Sequence, residues 1–153
     1  MGALAYADDI TVSCPSRRGL NKMLTLCSDF AKSNDIIFNT KKTVCIKYGE
    51  PILETECIYF NDVLLDWQDN VRHLGNYFDN SLNDYVDVRH KCSNFIGYVN
   101  KFLSNYQFLQ PHILCNLFKT YCCSYYGSFL WQYNSVGFEK FCTEWNKAER
   151  RVY

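Results

Sequence analysis

The hydrophobic period of this sequence changes near residue 80. Upstream, apolar residues come in short runs of β-branched and aromatic type broken by polar turns; downstream they recur at three- and four-residue intervals over long stretches. A period near two buries one face of a strand, and a period near 3.6 buries one stripe of a helix. The chain is therefore expected to be an α+β protein, with a strand-bearing part over 1–80 and a helical part over 81–153.

The first part opens on "AYADDITVSC", residues 5–14, read as strands over Ala3–Ala7 and Ile10–Cys14 joined at an Asp8–Asp9 turn. "CPSRRGLNKMLTLCSDFAKSND" then places Leu20, Met23, Leu24, Cys27, Phe30 and Ala31 at helical spacing, with Ser16 as N-cap. "DIIFN" and "KTVCIKYG" are expected strands around the polar turn "NTKK", and "CIYFNDVLLDW" a hairpin about Asn61 and Asp62. "VRHLGNYF" reads as a strand interrupted at Gly75, where a bulge or a close backbone approach is expected.

In the second part Val88, Cys92, Phe95, Ile96, Val99, Phe102 and Leu103 follow a helical period. A further helix is expected to open at Pro111 and to stop at Gly127. The last segment, "FEKFCTEWNKAERRVY", puts Phe138, Phe141, Cys142, Trp145 and Ala148 on one face of a third helix.

With 153 residues, 48% of them hydrophobic, the chain has the size and composition of one packed domain rather than of a disordered segment. Acidic and basic residues balance at 16 each, so total charge points to no partner, while leaving room for local basic patches. The nine cysteines are odd in number and form no C-x-x-C pair, which favours reduced thiols and an intracellular location. No apolar run reaches the roughly 18 residues that a membrane span requires. "MGALAY" has Tyr6 where a myristoylation signal needs Ser or Thr.

An Asp pair in a turn is most simply a solvated turn. It is also a pair of oxygen ligands of the kind a hard divalent cation such as Mg²⁺ prefers. Order and spacing along the chain bear on the choice. "YADD" at Tyr6–Asp9, then "LTLCSDFAKSND", then "IIFNTKKTVCIKYG", then "VRHLGNYF" about sixty residues beyond the acids together resemble the palm motifs of reverse transcriptases of non-LTR retrotransposons, the long interspersed elements. "YGSFLW" and "FEKFCTEWNKAERRVY" resemble the helical thumb that follows them.

The resemblance implies a partial palm over 1–80 and a thumb-like part over 81–153, in an RNA-directed DNA polymerase acting by two-metal phosphoryl transfer. It assigns Asp8 to the Mg²⁺ ligands with Asp9 as its auxiliary acid, and Tyr6 and Lys42 to the incoming nucleotide, Lys41 taking the place of Lys42 if the loop slips by one residue. It makes His73, Leu74 and Gly75 the primer grip, where many relatives carry Tyr in place of His73. Lys140, Lys147, Arg150 and Arg151 outnumber Glu144 and Glu149 over residues 140–151, and would contact nucleic acid backbone. The implied partners are an RNA template, a DNA primer and nucleotides, with no other small molecule and no membrane. The family needs a further metal-binding aspartate on a strand upstream of the hairpin, and five residues precede Tyr6 here. The expectation is thus a polymerase fragment inactive alone, or alternatively a non-catalytic module holding RNA or primer–template. An uncovered edge on the opening hairpin is expected to favour association.

Overall fold

The computed structural model describes residues 1–49 and 57–152, and the chain divides into two compact units, Met1–Asp69 and Asn70–Tyr153. The division lies ahead of the expected boundary near residue 80, because the hairpin that follows Asp69 packs on the first helix of the second unit.

In the first unit, β1 (Gly2–Tyr6) and β2 (Asp9–Ser13) pair antiparallel, with Tyr6 opposite Asp9, so Ala7 and Cys14 lie just outside the strands. Helix α1 (Arg17–Ser33) starts as its sequence dictates: Ser16 has extended backbone, and its Oγ accepts the Gly19 N–H at 3.2 Å. Gly19 is required by packing, since a Cβ there would overlap Cys14 Sγ. Leu24, Ser28 and Ala31 form the buried stripe, whereas Phe30, expected on it, is exposed.

The expected strand over "DIIFN" does not form. The Ile36 N–H bonds back to Ala31 O at 2.9 Å, Ile37 is 95% exposed, and only Phe38 turns inward, its ring 5.3 Å from that of Phe60. Within "KTVCIKYG" the strand is reduced to β3 (Val44–Cys45). The hairpin about Asn61 and Asp62 is present as β4 (Tyr59–Phe60) and β5 (Val63–Leu64), and both turn residues are left-handed, at φ 50° and 60°. Asn and Asp tolerate that region, which suits them to a two-residue turn. Strand β6 (Asp66–Trp67) pairs parallel with β3. Leu24, Cys45, Ile58, Phe60 and Leu65 make the core between these pieces.

The second unit begins with β7 (Asn70–His73) and β8 (Asn76–Asp79), an antiparallel hairpin. The expected single strand broken at Gly75 is thus two strands, folded over at Leu74 (φ 47°) and Gly75 (φ 83°). Helix α2 (Tyr85–Tyr106) packs against α3 (Pro111–Cys122) and α4 (Val136–Val152). Tyr153, expected to close the last helix, lies outside the described residues. Phe95 stands at the centre, its ring within 6.4 Å of those of Phe118, Tyr125, Phe141 and Trp145. Helix α3 ends at Cys122 rather than Gly127, because Tyr125 must turn into this cluster; Gly127, at φ 82°, instead precedes a short 3₁₀ turn over Ser128–Leu130. None of the described helices is long and apolar enough to cross a membrane.

Candidate functional site

The tip of the β1–β2 hairpin gathers three of the residues singled out in the sequence. Tyr6 and Asp9 close the ladder, so the two-residue turn is Ala7–Asp8 rather than the expected Asp8–Asp9, and Asp9 belongs to β2. Directly paired residues share a face of the sheet, so Asp9 lies beside Tyr6, and Leu4 and Thr11 continue the same face. Ala7 has φ 51°. A left-handed Ala costs roughly 1–2 kcal/mol, a strain Gly would avoid. Tyr6 is 67% exposed, and both carboxylates are exposed, with no ion pair or hydrogen-bond partner among the described residues.

Mg²⁺ keeps several waters and is commonly held by one or two carboxylates, so two exposed acids are ligands of the right chemistry for one hydrated ion. They do not fit two ions at the roughly 3.5–4 Å spacing of a two-metal centre, which needs a further bridging acid. Among the described residues no group of three or more His, Cys, Asp or Glu is placed to hold a metal.

Lys42 belongs to the same unit but to another turn. Asn39 O accepts the N–H groups of Lys42 (3.1 Å) and Thr43 (3.2 Å) and the Thr43 hydroxyl (3.0 Å), which folds 39–43 tightly and leaves the Lys41 and Lys42 side chains exposed. Neither lysine forms an ion pair with Asp8 or Asp9 among the described residues.

In the second unit, His73 ends β7, and Leu74 and Gly75 make the turn. The ring of Tyr126 lies 3.8 Å from where a Cβ on Gly75 would sit. Lys140, Lys147, Arg150 and Arg151 are exposed on α4. Lys147 is drawn to Glu144 at 2.6 Å, and Arg151 donates to Asn100 Oδ1 of α2 at 3.0 Å. Helical spacing aligns Lys140, Lys147 and Arg151 on one stripe, while Arg150 lies to its side.

A polar cluster that sequence reading passed over lies in the same unit. Asp87, 4% exposed, accepts the Tyr77 N–H at 2.9 Å, the Lys91 ammonium at 2.6 Å and the Trp131 indole N–H at 2.7 Å. The signal available beforehand was the Asp87/Lys91 spacing of four on a helical run. Nothing local in the sequence announced Trp131, which is 44 residues away.

All nine cysteines are free thiols. Burial pushes the Cys45 and Cys122 thiols up to about 11, Cys122 with a smaller contribution from Cys123 beside it. Burial, then the neighbouring Cys123 and Cys122, drives the Tyr125 phenol upward as well. Such groups stay protonated at neutral pH, where a thiol is a poor nucleophile and a poor ligand.

Comparisons with protein-family models, with curated proteins and with solved structures found no match for this chain.

Proposed function

We propose that this chain is a fragment of an RNA-directed DNA polymerase of the non-LTR retrotransposon type, a partial palm followed by a helical unit that holds template and primer. One observation carries the reading: the Asp8 and Asp9 carboxylates stand exposed beside Tyr6 at the end of the β1–β2 hairpin, without a partner among the described residues. A two-residue hairpin turn calls for a left-handed first residue whatever its role, so the support lies in the two acids themselves, neither of which is spent on an ion pair among the described residues. The basic stripe of α4 and the Leu74–Gly75 hairpin supply the nucleic acid contacts of this reading. In the complete parent, Asp8 and Asp9 contribute ligands to a magnesium centre whose other acid these residues do not include, so the chain does not polymerise by itself.

Purified chain is mixed with an RNA template annealed to a DNA primer, Mg²⁺ and deoxynucleotides. The expected result is binding that weakens steeply with salt and no primer extension. Replacing Lys140 and Arg151 of the stripe by Ala should flatten the slope of log affinity against log salt by about two. No binding at low salt would overturn the reading, and extension abolished by Asp8→Ala would overturn the claim that the chain is inactive alone.

A further inference from the structure

The β7–β8 hairpin is a two-stranded ribbon, and a ribbon of this length has little stability of its own. Its turn places Leu74 and Gly75, both left-handed, at an exposed end. The Tyr77 N–H is not spent on β7. In a hairpin with a two-residue turn, the pair next to the turn, His73 and Asn76, exchanges hydrogen bonds, and the following pair, Arg72 and Tyr77, points its N–H groups outward. The outward N–H of Tyr77 meets Asp87 Oδ1 on α2.

Asp87 Oδ2 takes two further donors, the Lys91 ammonium and the Trp131 indole. One carboxylate thereby joins β8, α2 and the end of the 3₁₀ turn. Lys91 also donates to Asn76 Oδ1 at 2.6 Å, and its ammonium stands 5.6 Å from the centre of the Trp131 ring. Asn76 is buried, and Gly127 lies so close that any Cβ there would overlap it.

A buried ion pair contributes little net stability when compared with a well-packed apolar pair, but breaking one leaves an uncompensated charge. Its value lies in direction, since charge-assisted hydrogen bonds fix geometry that apolar contact does not. We propose that Asp87 is the positioning residue of the β7–β8 hairpin: its three bonds, with Lys91 relaying to Asn76, hold the Leu74–Gly75 turn in one attitude on α2. All of these residues belong to the second unit.

Asp87→Asn tests it in the full chain. The amide keeps the shape but has a single acceptor oxygen, so its NH₂ must face either the Tyr77 N–H or the donors of Lys91 and Trp131, and the three-way junction cannot form. Hydrogen exchange of the Tyr77 amide should rise at least tenfold relative to the amides of Phe118 and Phe141, which serve as internal references. Residual dipolar couplings of Leu74 and Gly75 should shrink relative to those of α2, as the hairpin samples several orientations. If the Tyr77 rate rises only in step with the references, Asp87 is an ordinary core residue and the proposal fails; unchanged exchange and couplings also sink it. Should Asp87→Asn not fold, Trp131→Phe removes one donor and leaves the ion pair. A selective rise at Tyr77 of about threefold is then expected, and none would overturn the proposal.

Discussion

At the scale of single residues, left-handed backbone marks the places where the chain gives up local comfort for position. Ala7, Asn61, Asp62 and Leu74 all stand at turn positions with φ between 47° and 60°. Asn61 and Asp62 were legible as a turn because their side chains tolerate that region. Leu74 was not, since nothing in a Leu-Gly pair favours a left-handed first residue, and the stretch around it therefore read as one broken strand. Gly127 is the position at which a substitution should be felt most sharply. Its φ of 82° disfavours a side chain, and the buried Asn76 occupies the space a methyl would need. Gly127→Ala is expected to cost about 3 kcal/mol, the sum of backbone strain and overpacking, measured as a lowered urea midpoint with an unchanged slope. A loss under about 0.5 kcal/mol would mean that Asn76 moves aside freely.

Elements differ in how far their pattern alone defines them. The helices were readable because an amphipathic stripe repeats over many turns, so one exposed Phe30 does not alter the reading. Short strands were not, because a strand exists only with a partner, and the partner is not local. "DIIFN" has the composition of a strand but finds no partner strand among the described residues, whereas Val44–Cys45 pairs in parallel with Asp66–Trp67, across twenty residues of sequence. Tyr6, Asp8 and Asp9 were readable as one tip because they are contiguous, while the Asp87 cluster joins three elements and was visible only as a helical ion-pair spacing. The β1–β2 hairpin forms a two-stranded sheet with no further strand paired to it among the described residues, and β1 is uncharged, with Leu4 77% exposed. An edge without charge or proline invites pairing with another strand. The weight-average mass in sedimentation should therefore rise with concentration. Leu4→Lys, which puts a charge on β1, should suppress the rise, and a concentration-independent monomer would remove the edge as its cause.

Across the whole molecule, the two units carry separate apolar cores, and each core contains a cysteine held protonated by burial: Cys45 in the first and Cys122 in the second. Their thiols titrate at about 11 in the folded chain against 9.0 for an ordinary thiol. Below pH 9 both states are protonated and the full stability of each core is present. Between about 9 and 11 the unfolded chain loses these protons while the folded chain keeps them, so stability falls as pH rises through that window. Tyr125, whose phenol is also pushed upward by burial, acts in the same direction in the second unit. Melting followed by circular dichroism should thus show a midpoint that is flat from pH 7 to 8.5 and descends from pH 9 to 11. Cys45→Ala should make the descent shallower for the first unit, where Tyr48, also pushed upward by burial, remains, and leave it in the second, where Cys122 and Tyr125 remain. A midpoint independent of pH up to 11 would show that these thiols reach water in the folded state, and with it that neither core is as tightly closed as the packing around Ile58 and Phe95 requires.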